Sequence, residues 1–277
     1  MLLHLRHELW KLFGKKRTYI GFALLLLAQG VVTLVFRYSR VTRGMAQQLE
    51  GNGYDAAGFI SGLTIAVVML FPIAYLLLPL YVTLVGGDLV AKEVEDGTLR
   101  MILARPVSRV RLLATKWLAG AVFSVLLVGA LGAFGLVWAS CFFPWGGLFV
   151  FVPGELFSVL EPGPGLARYA LAHAWLCAKA VTLLGLALMF SCFPVKPAAA
   201  TILALSTLFL NGILMQIPFF RELQPWFLTY HLTLWQLMFA QPVPWSRALQ
   251  SLSLLAGFNA TFFVLGAVAF QLRDFKR

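Results

Sequence analysis

The chain alternates long apolar runs with short polar connections, and the runs have the length of membrane spans. Crossing about 30 Å of hydrocarbon takes roughly 20 apolar residues. Six segments qualify: about 18–36, 59–86, 112–141, 169–192, 198–217 and 252–271. The second and third are long enough to tilt or project, and Pro72 and Pro79 predict kinks in the second. Before the first run, Leu2, Leu5, Leu9, Leu12 and Phe13 recur at helical spacing among Arg6, Lys11, Lys15 and Lys16. That pattern predicts an amphipathic helix lying in the membrane interface. Residues 142–168, with Pro144, Trp145, Pro153, Pro162 and Pro164, read as an irregular interfacial loop. Between the last two runs, Phe227 to Phe239 is apolar but too short to cross, and Trp226, Tyr230, Trp235 and Trp245 stand around it. An outer re-entrant or interfacial helical region fits, with its aromatics at headgroup level. The predicted fold is an all-α integral membrane protein: one transmembrane domain over residues 1–277 with six transmembrane helices.

Composition supports this class. Apolar residues are 60% of 277 and charged residues 12%, with mean hydropathy +0.85, whereas soluble domains carry charge on about a quarter of positions. The net charge of +11 raises nucleic acid as a partner, but the basic residues gather at the ends of apolar runs, and no basic groove with interleaved aromatics lies outside them. No nucleic-acid partner is expected; the lipid bilayer is. One set of connections holds fifteen Lys or Arg, at 6–17, 92–116, 196 and 273–277; the other holds six, from Arg37 to Arg247. The positive-inside rule therefore predicts both termini in the cytoplasm and 87–116 as an internal segment. Cys141, Cys177 and Cys192 stand at unrelated spacings in or beside apolar segments and read as small packing residues.

The internal segment is the longest charge-dense stretch. Asp88 is placed to cap a short helix through Lys92, Glu93 and Glu95, which Asp96-Gly97 breaks. Thr98 is placed to cap a second helix, Leu99 to Ala104, limited by Pro106, and Ser108 to cap the third span. Leu99, Ile102 and Leu103 share one side of that second helix, away from Arg100.

This arrangement, an acidic helix, Gly97-Thr98-Leu99, Leu103, Pro106-Val107-Ser108-Arg109 and Lys116, resembles the membrane (permease) subunits of type-2 ABC transporters. The order of parts along the chain, including the Arg273-Asp274 tail, is similar too. Arg100-Met101 departs from it, since the family often has an acidic residue and another leucine there. The resemblance implies short cytoplasmic coupling helices over 87–111 that dock on a separate ATPase subunit. It implies Glu93, Glu95, Asp96, Gly97, Thr98, Leu99, Ile102 and Leu103 as the contact. It further implies two ATPase copies holding ATP and Mg, a second membrane subunit making a homodimer, export across the cell's inner (plasma) membrane, and no catalysis in this chain. No GxxxxGK[ST] phosphate loop occurs; Gly14-Lys15-Lys16 lacks its upstream glycine and its hydroxyl. An alternative is a membrane anchor for an ATPase-driven envelope assembly or remodelling complex. A proton- or sodium-coupled carrier is a third reading, weakened by the lack of an acid within the spans to pair with Lys179.

Lys179 falls near the middle of the fourth run, where a lysine costs roughly 2.5–3.5 kcal/mol to insert. Arg168, Trp175 and Lys179 share a helical face, and Trp175 and Lys179 are read as lining a translocation path, with a snorkelling lysine as the alternative. His173, Asn211, Gln216, Asn259 and Gln271 read as interhelical hydrogen-bonding residues. The aromatic-rich spans suit amphipathic cargo and plain lipid contact equally.

Overall fold

In a computed structural model describing residues 2–104 and 107–273, helices dominate and six of them are long and apolar enough to cross a membrane. Pro106, read above as a helix limit, and the tail residues Asp274, Lys276 and Arg277 lie outside the described residues. Helix α1 (Leu2–Gly14) is the predicted amphipathic leader, and α2 (Lys16–Tyr38) the first long helix. Two short helices follow, α3 (Val41–Gly51) and α4 (Ala56–Phe59), where no element was predicted. The second long element is α5 (Gly62–Pro72), a π-helical turn (Ile73–Leu77) and α6 (Leu78–Glu95). Pro72 and Pro79, the predicted kink sites, flank the π turn, so the helix departs from α-geometry as a widened turn between them. Asp88 lies inside α6, not at a helix start. It accepts a hydrogen bond from Arg17 at 3.4 Å, so the projected cap is replaced by an ion pair on an unbroken helix.

Helix α7 (Thr98–Leu103) leads to α8 (Arg109–Phe142), capped as predicted by Ser108, whose Oγ accepts from the Arg111 amide. The loop expected over 142–168 contains an antiparallel hairpin, β1 (Leu148–Val152) and β2 (Leu156–Leu160). Phe149 N donates to Thr64 Oγ1, seating the hairpin on the start of α5, and Phe149 joins Leu49 and Ala56 in a small satellite core. Phe149 and Phe151 straddle a strand of LFVFV, a β-branched and aromatic run that pairs where helical periodicity is absent. The remaining long helices are α9 (Pro162–Cys192), α10 (Pro197–Gln216) and α12 (Trp245–Leu272). The outer region between the last two is not one helix. It is a 3-10 stretch (Pro218–Trp226), α11 (Leu228–Thr233) and a second 3-10 stretch (Leu234–Phe239), because Pro218 and Pro225 remove backbone donors.

α9 is the central post, with two-thirds of its apolar window buried, while in α12 only about a tenth of that window is buried and the rest is exposed or half-buried. That exposure is what lipid-facing helices need. α6 meets α9 at close range: a Cβ on Gly86 would stand 2.9 Å from Ala187 Cβ and from the Leu184 carbonyl. Ser191 of α9 locks the same place. Its Oγ accepts from the Val90 and Ala91 amides at 3.1 and 2.8 Å and donates to the Gly87 carbonyl at 2.7 Å. In hydrocarbon a hydroxyl without a partner is costly, so this bond fixes both rotation and height of α6 against α9. α12 is tied to α9 by Asn259, whose Nδ2 donates to Thr182 Oγ1 at 2.7 Å, the interhelical role read for it above. Cys192 is buried and Cys177 partly so, whereas Cys141 is exposed near the end of α8.

Gly87 also lets α10 approach: a Cβ there would fall 2.5 Å from Thr201 Oγ1 and 3.2 Å from the Thr201 amide nitrogen. Gly87→Leu is expected to destabilise the bundle by about 1–3 kcal/mol through overpacking. Gly129→Leu, where a Cβ meets nothing within 4 Å, should be nearly neutral. Thermal unfolding of both variants in detergent checks the contrast; equal midpoints would remove the close-approach argument.

Candidate functional site

The end of the bundle that carries α1, the α6–α7 turn and the start of α8 is built around four charges. Lys116 of α8 is fully buried and its Nζ pairs with Glu93 at 2.7 Å and with Glu8 at 3.0 Å. Lys11 of α1 closes the ring, at 2.9 Å from Glu8 and 3.3 Å from Glu93. Two lysines and two glutamates thus alternate, with no net charge. Glu8 lies on the apolar stripe of α1, three residues after Leu5 and four before Leu12, which is why it is 7% exposed in a helix otherwise basic on its polar face. Burial alone raises the Glu8 pKa. Lys116 beside it and hydrogen bonds from Lys11 and Lys116 outweigh that and hold it below the usual 4.5. For Lys11 burial acts downward, but its bonds to Glu8 and Glu93 win and raise it above 10.5.

Aromatic packing reinforces the ring. Phe123 of α8 packs on Phe13 of α1 and Phe22 of α2, with ring centroids 5.7 and 5.8 Å away, and Tyr81 of α6 joins them while donating to the Thr18 carbonyl at 2.8 Å. Two arginines cap neighbouring helix ends. Arg109 donates to the carbonyls of Gln271 and Arg273 at 2.9 and 2.8 Å, and Arg273 to the Phe193 carbonyl at 2.8 Å. Cations at helix C-termini also complement the macrodipole. The end of α12, the start of α8 and the α9–α10 link are thereby gathered at one end.

The turn itself depends on Gly97, in the left-handed conformation at φ 71°, which ends α6 and starts α7. Thr98 does not cap α7. It is the first helical residue, and its hydroxyl donates back to the Glu93 carbonyl at 3.2 Å. Leu99 is wholly buried, with Ile102 and Leu103 half-buried beside it. Of the residues the resemblance pointed to, Glu95, Asp96 and Gly97 are exposed, and Thr98, Ile102 and Leu103 partly so. Leu99 and Glu93 instead face the chain's own interior: Leu99 packs in the core and Glu93 is held by Lys116 and Lys11. Arg100 and Met101, the latter 67% exposed, complete the outward face. Lys92 bridges Glu95 at 2.6 Å and Asp96 at 3.2 Å, pinning the acidic corner. A groove of about 650 Å³ runs between α1 and α7, with His4 and His7 on one wall, Thr98 and Met101 on another.

A family described as ABC-2 family transporter protein matches residues 5–275. The chain belongs to the ABC-2 transporter family. No curated protein matches it. As an ABC-2 membrane protein it is a permease subunit of an ABC transporter, and the family implies an ABC ATPase as partner. Lys179 and Trp175, grouped by the sequence, are separated: Trp175 turns to Trp245 of α12, with ring centroids 6.3 Å apart, while Lys179 faces Tyr75 beside α6. The residues that sequence reasoning missed are Glu8 and the pairing role of Lys116. The signal for Glu8 was an acid placed on an apolar stripe.

Removing Lys116 leaves Glu8 and Glu93, both largely withdrawn from water, to share the single, half-exposed Lys11. Lys116→Met is expected to cost about 3–5 kcal/mol, and Glu8→Leu with Glu93→Leu in the same chain should recover most of it. Thermal unfolding of the single and triple variants checks this; additive losses would contradict it. Because the Glu8 pKa is depressed on folding, its contribution is complete above about 4.5 and lost as pH falls through the lower folded value. The Lys11 contribution is complete below 10.5 and lost as pH rises through its raised value. A spin label at the exposed Trp10→Cys should gain mobility at those two limits and nowhere between.

Proposed function

We propose that this chain is the transmembrane permease subunit of an ATP-driven exporter, coupling ATP hydrolysis by a separate ATPase subunit to movement of substrate across the cell's inner membrane. The observation that carries the reading is the locked end of the bundle. An exposed corner of Glu95, Asp96, Gly97, Arg100 and Met101 projects from a ring of ion pairs centred on the buried Lys116, at the base of two helices long enough to cross the membrane. A surface that moves as one piece with two spans can receive a push and pass it inward. The charge asymmetry of the connections supports cytoplasmic termini, with that corner on the ATPase side. ATP and Mg belong to the partner, since this sequence carries no phosphate-binding loop. Two ATPases and a second copy of the permease complete the assembly. The exposed apolar faces of α2 and α10, Leu24 and Leu27 on one and Phe209 and Ile213 on the other, supply the area such a dimer or the lipid would cover.

Nothing lies within 4 Å of a Cβ built at Gly97, so substitutions there test the backbone rather than contacts. Gly97→Val is expected to leave insertion intact and abolish substrate-coupled ATPase stimulation in proteoliposomes holding both subunits. Gly97→Asn, which tolerates the left-handed region, should keep most of it. Full activity in the valine variant would refute the coupling role. Stimulation with no solute or lipid movement would assign the chain to envelope remodelling instead.

A further inference from the structure

Lys179 is 4% exposed, and among the described residues neither a carboxylate nor a hydrogen-bond acceptor meets its ammonium. Its one recorded partner is the face of Tyr75, with Nζ 5.2 Å from the ring centroid. Gln236 Nε2 donates to the Tyr75 hydroxyl, which fixes the ring over the lysine. The π turn positions Tyr75, a residue that regular α-geometry would turn to another face. Lys179 also lines a cavity of about 260 Å³ between α6, α9, α10 and α11, walled by Leu205, Leu208 and Phe209. Its polar lining on the far side is Gln216, Thr229 and Thr233, and no acidic residue takes part. The cavity opens beside Leu80 and Phe209, which are 45% and 63% exposed on the membrane-facing surface.

A buried cation is costly unless it is paired, and a ring face offsets only part of that cost. The chain has built the enclosure and the donor but not the counter-charge. We propose that this cavity binds the acidic headgroup of an anionic amphiphile, with the carboxylate or phosphate on Lys179 and the apolar tail outside along α6 and α10. The volume argues for a head only. Pockets that enclose whole drug-sized ligands run to about 300–1,000 Å³, so a chain of methylenes must lie in the open groove. Depth argues against an ordinary annular lipid. Lys179 stands seventeen residues from the start of α9 and thirteen from its end, about 25 and 20 Å along the helix, so a headgroup reaching it has left the bilayer surface. A phosphocholine head is disfavoured because its own cation would face the lysine. As a statement about cargo this rests on the transport reading. As a binding site it is separable, because occupancy is read on the permease without any ATPase.

The test is photolabelling of the full chain in phosphatidylcholine nanodiscs with three probes carrying the same diazirine tail: a fatty acid, a phosphatidic acid and a fatty alcohol. The acidic probes should label the α6 and α10 walls about tenfold more than the alcohol. Whichever acid dominates names the source, free carboxylate or lipid phosphate. K179M should fall to the alcohol level and K179R should not. Gly212→Phe, whose added side chain begins in open space inside the cavity, should block all three probes while leaving the lysine in place, and it gives a readout if K179M does not fold. Equal labelling by the alcohol, undiminished labelling of K179M, or undiminished labelling of Gly212→Phe would each overturn the site. Loss of the site would leave the coupling role of Gly97 untouched, and the reverse.

Discussion

The ring formed by Glu8, Lys11, Glu93 and Lys116 is the constraint on which the working end of this protein depends. The four charges come from three stretches of chain: two from α1, one from the foot of α6 and one from the first turns of α8. Burying Lys116 with its two carboxylates offers little net stability over an apolar core of the same shape. What it does is exclude other arrangements, because sliding α1 by one turn would take Glu8 away from Lys116 and Lys11 away from Glu93. The ring therefore fixes register. It makes the amphipathic leader part of the same rigid piece as the α6–α7 corner, so a force on the exposed residues there is carried by α1, α6 and α8 together.

From that corner the force has one continuous element to follow. α6 runs unbroken from Glu95 to Leu78, gripped near its middle by the Ser191 hydroxyl and by the close approach of α9 and α10 at Gly86 and Gly87. It loses α-geometry only at the π turn between Pro72 and Pro79, and Tyr75 sits in that turn. Roughly 20 residues, or about 30 Å of helix, separate the outward-facing acids from the ring over Lys179, which stands in the turn at the far end of the rod. A rigid segment ending in an irregular turn concentrates any rotation at that turn, since regular helix resists bending far more than a widened one.

How much of this was legible in the sequence depends on whether the information was local. The six long helices follow from apolar runs, and the Ser108 cap and the Leu99-Ile102-Leu103 face follow from spacing, each decided within a few residues. The hairpin at 148–160 was hidden because prolines and tryptophans around it dominated the local pattern. Asp88 looked like a cap only because a helix start was assumed at the membrane edge, whereas α6 projects beyond it. The pairing of Glu8 with Lys116, 108 positions apart, is a tertiary fact. Only half of it was present locally, as an acid standing where the stripe Leu5, Leu9, Leu12 calls for an apolar side chain. Trp175 and Lys179 share a face on a helical wheel, yet α9 is surrounded on all sides, so one turns to α12 and the other to the α6 side.

Among the described residues two lysines are withdrawn from solvent almost completely, and the contrast between them separates scaffold from site. Lys116 has a carboxylate on each side, both within 3.0 Å, and those carboxylates share a second lysine. Its charge is satisfied by the fold, and nothing further can approach. Lys179 has an aromatic face and an enclosed space. If the lysine served packing alone, a leucine or methionine would fill the same volume without the cost of a buried cation. If it served to fix helix register, an acid on α6 or α10 would be the economical partner, as Glu93 is for Lys116. Neither provision is made; instead the π turn brings a tyrosine over the ammonium and the neighbouring helices stand back from it. A cation held in place on one side and left open on the other is organised for an anion that is not part of the chain.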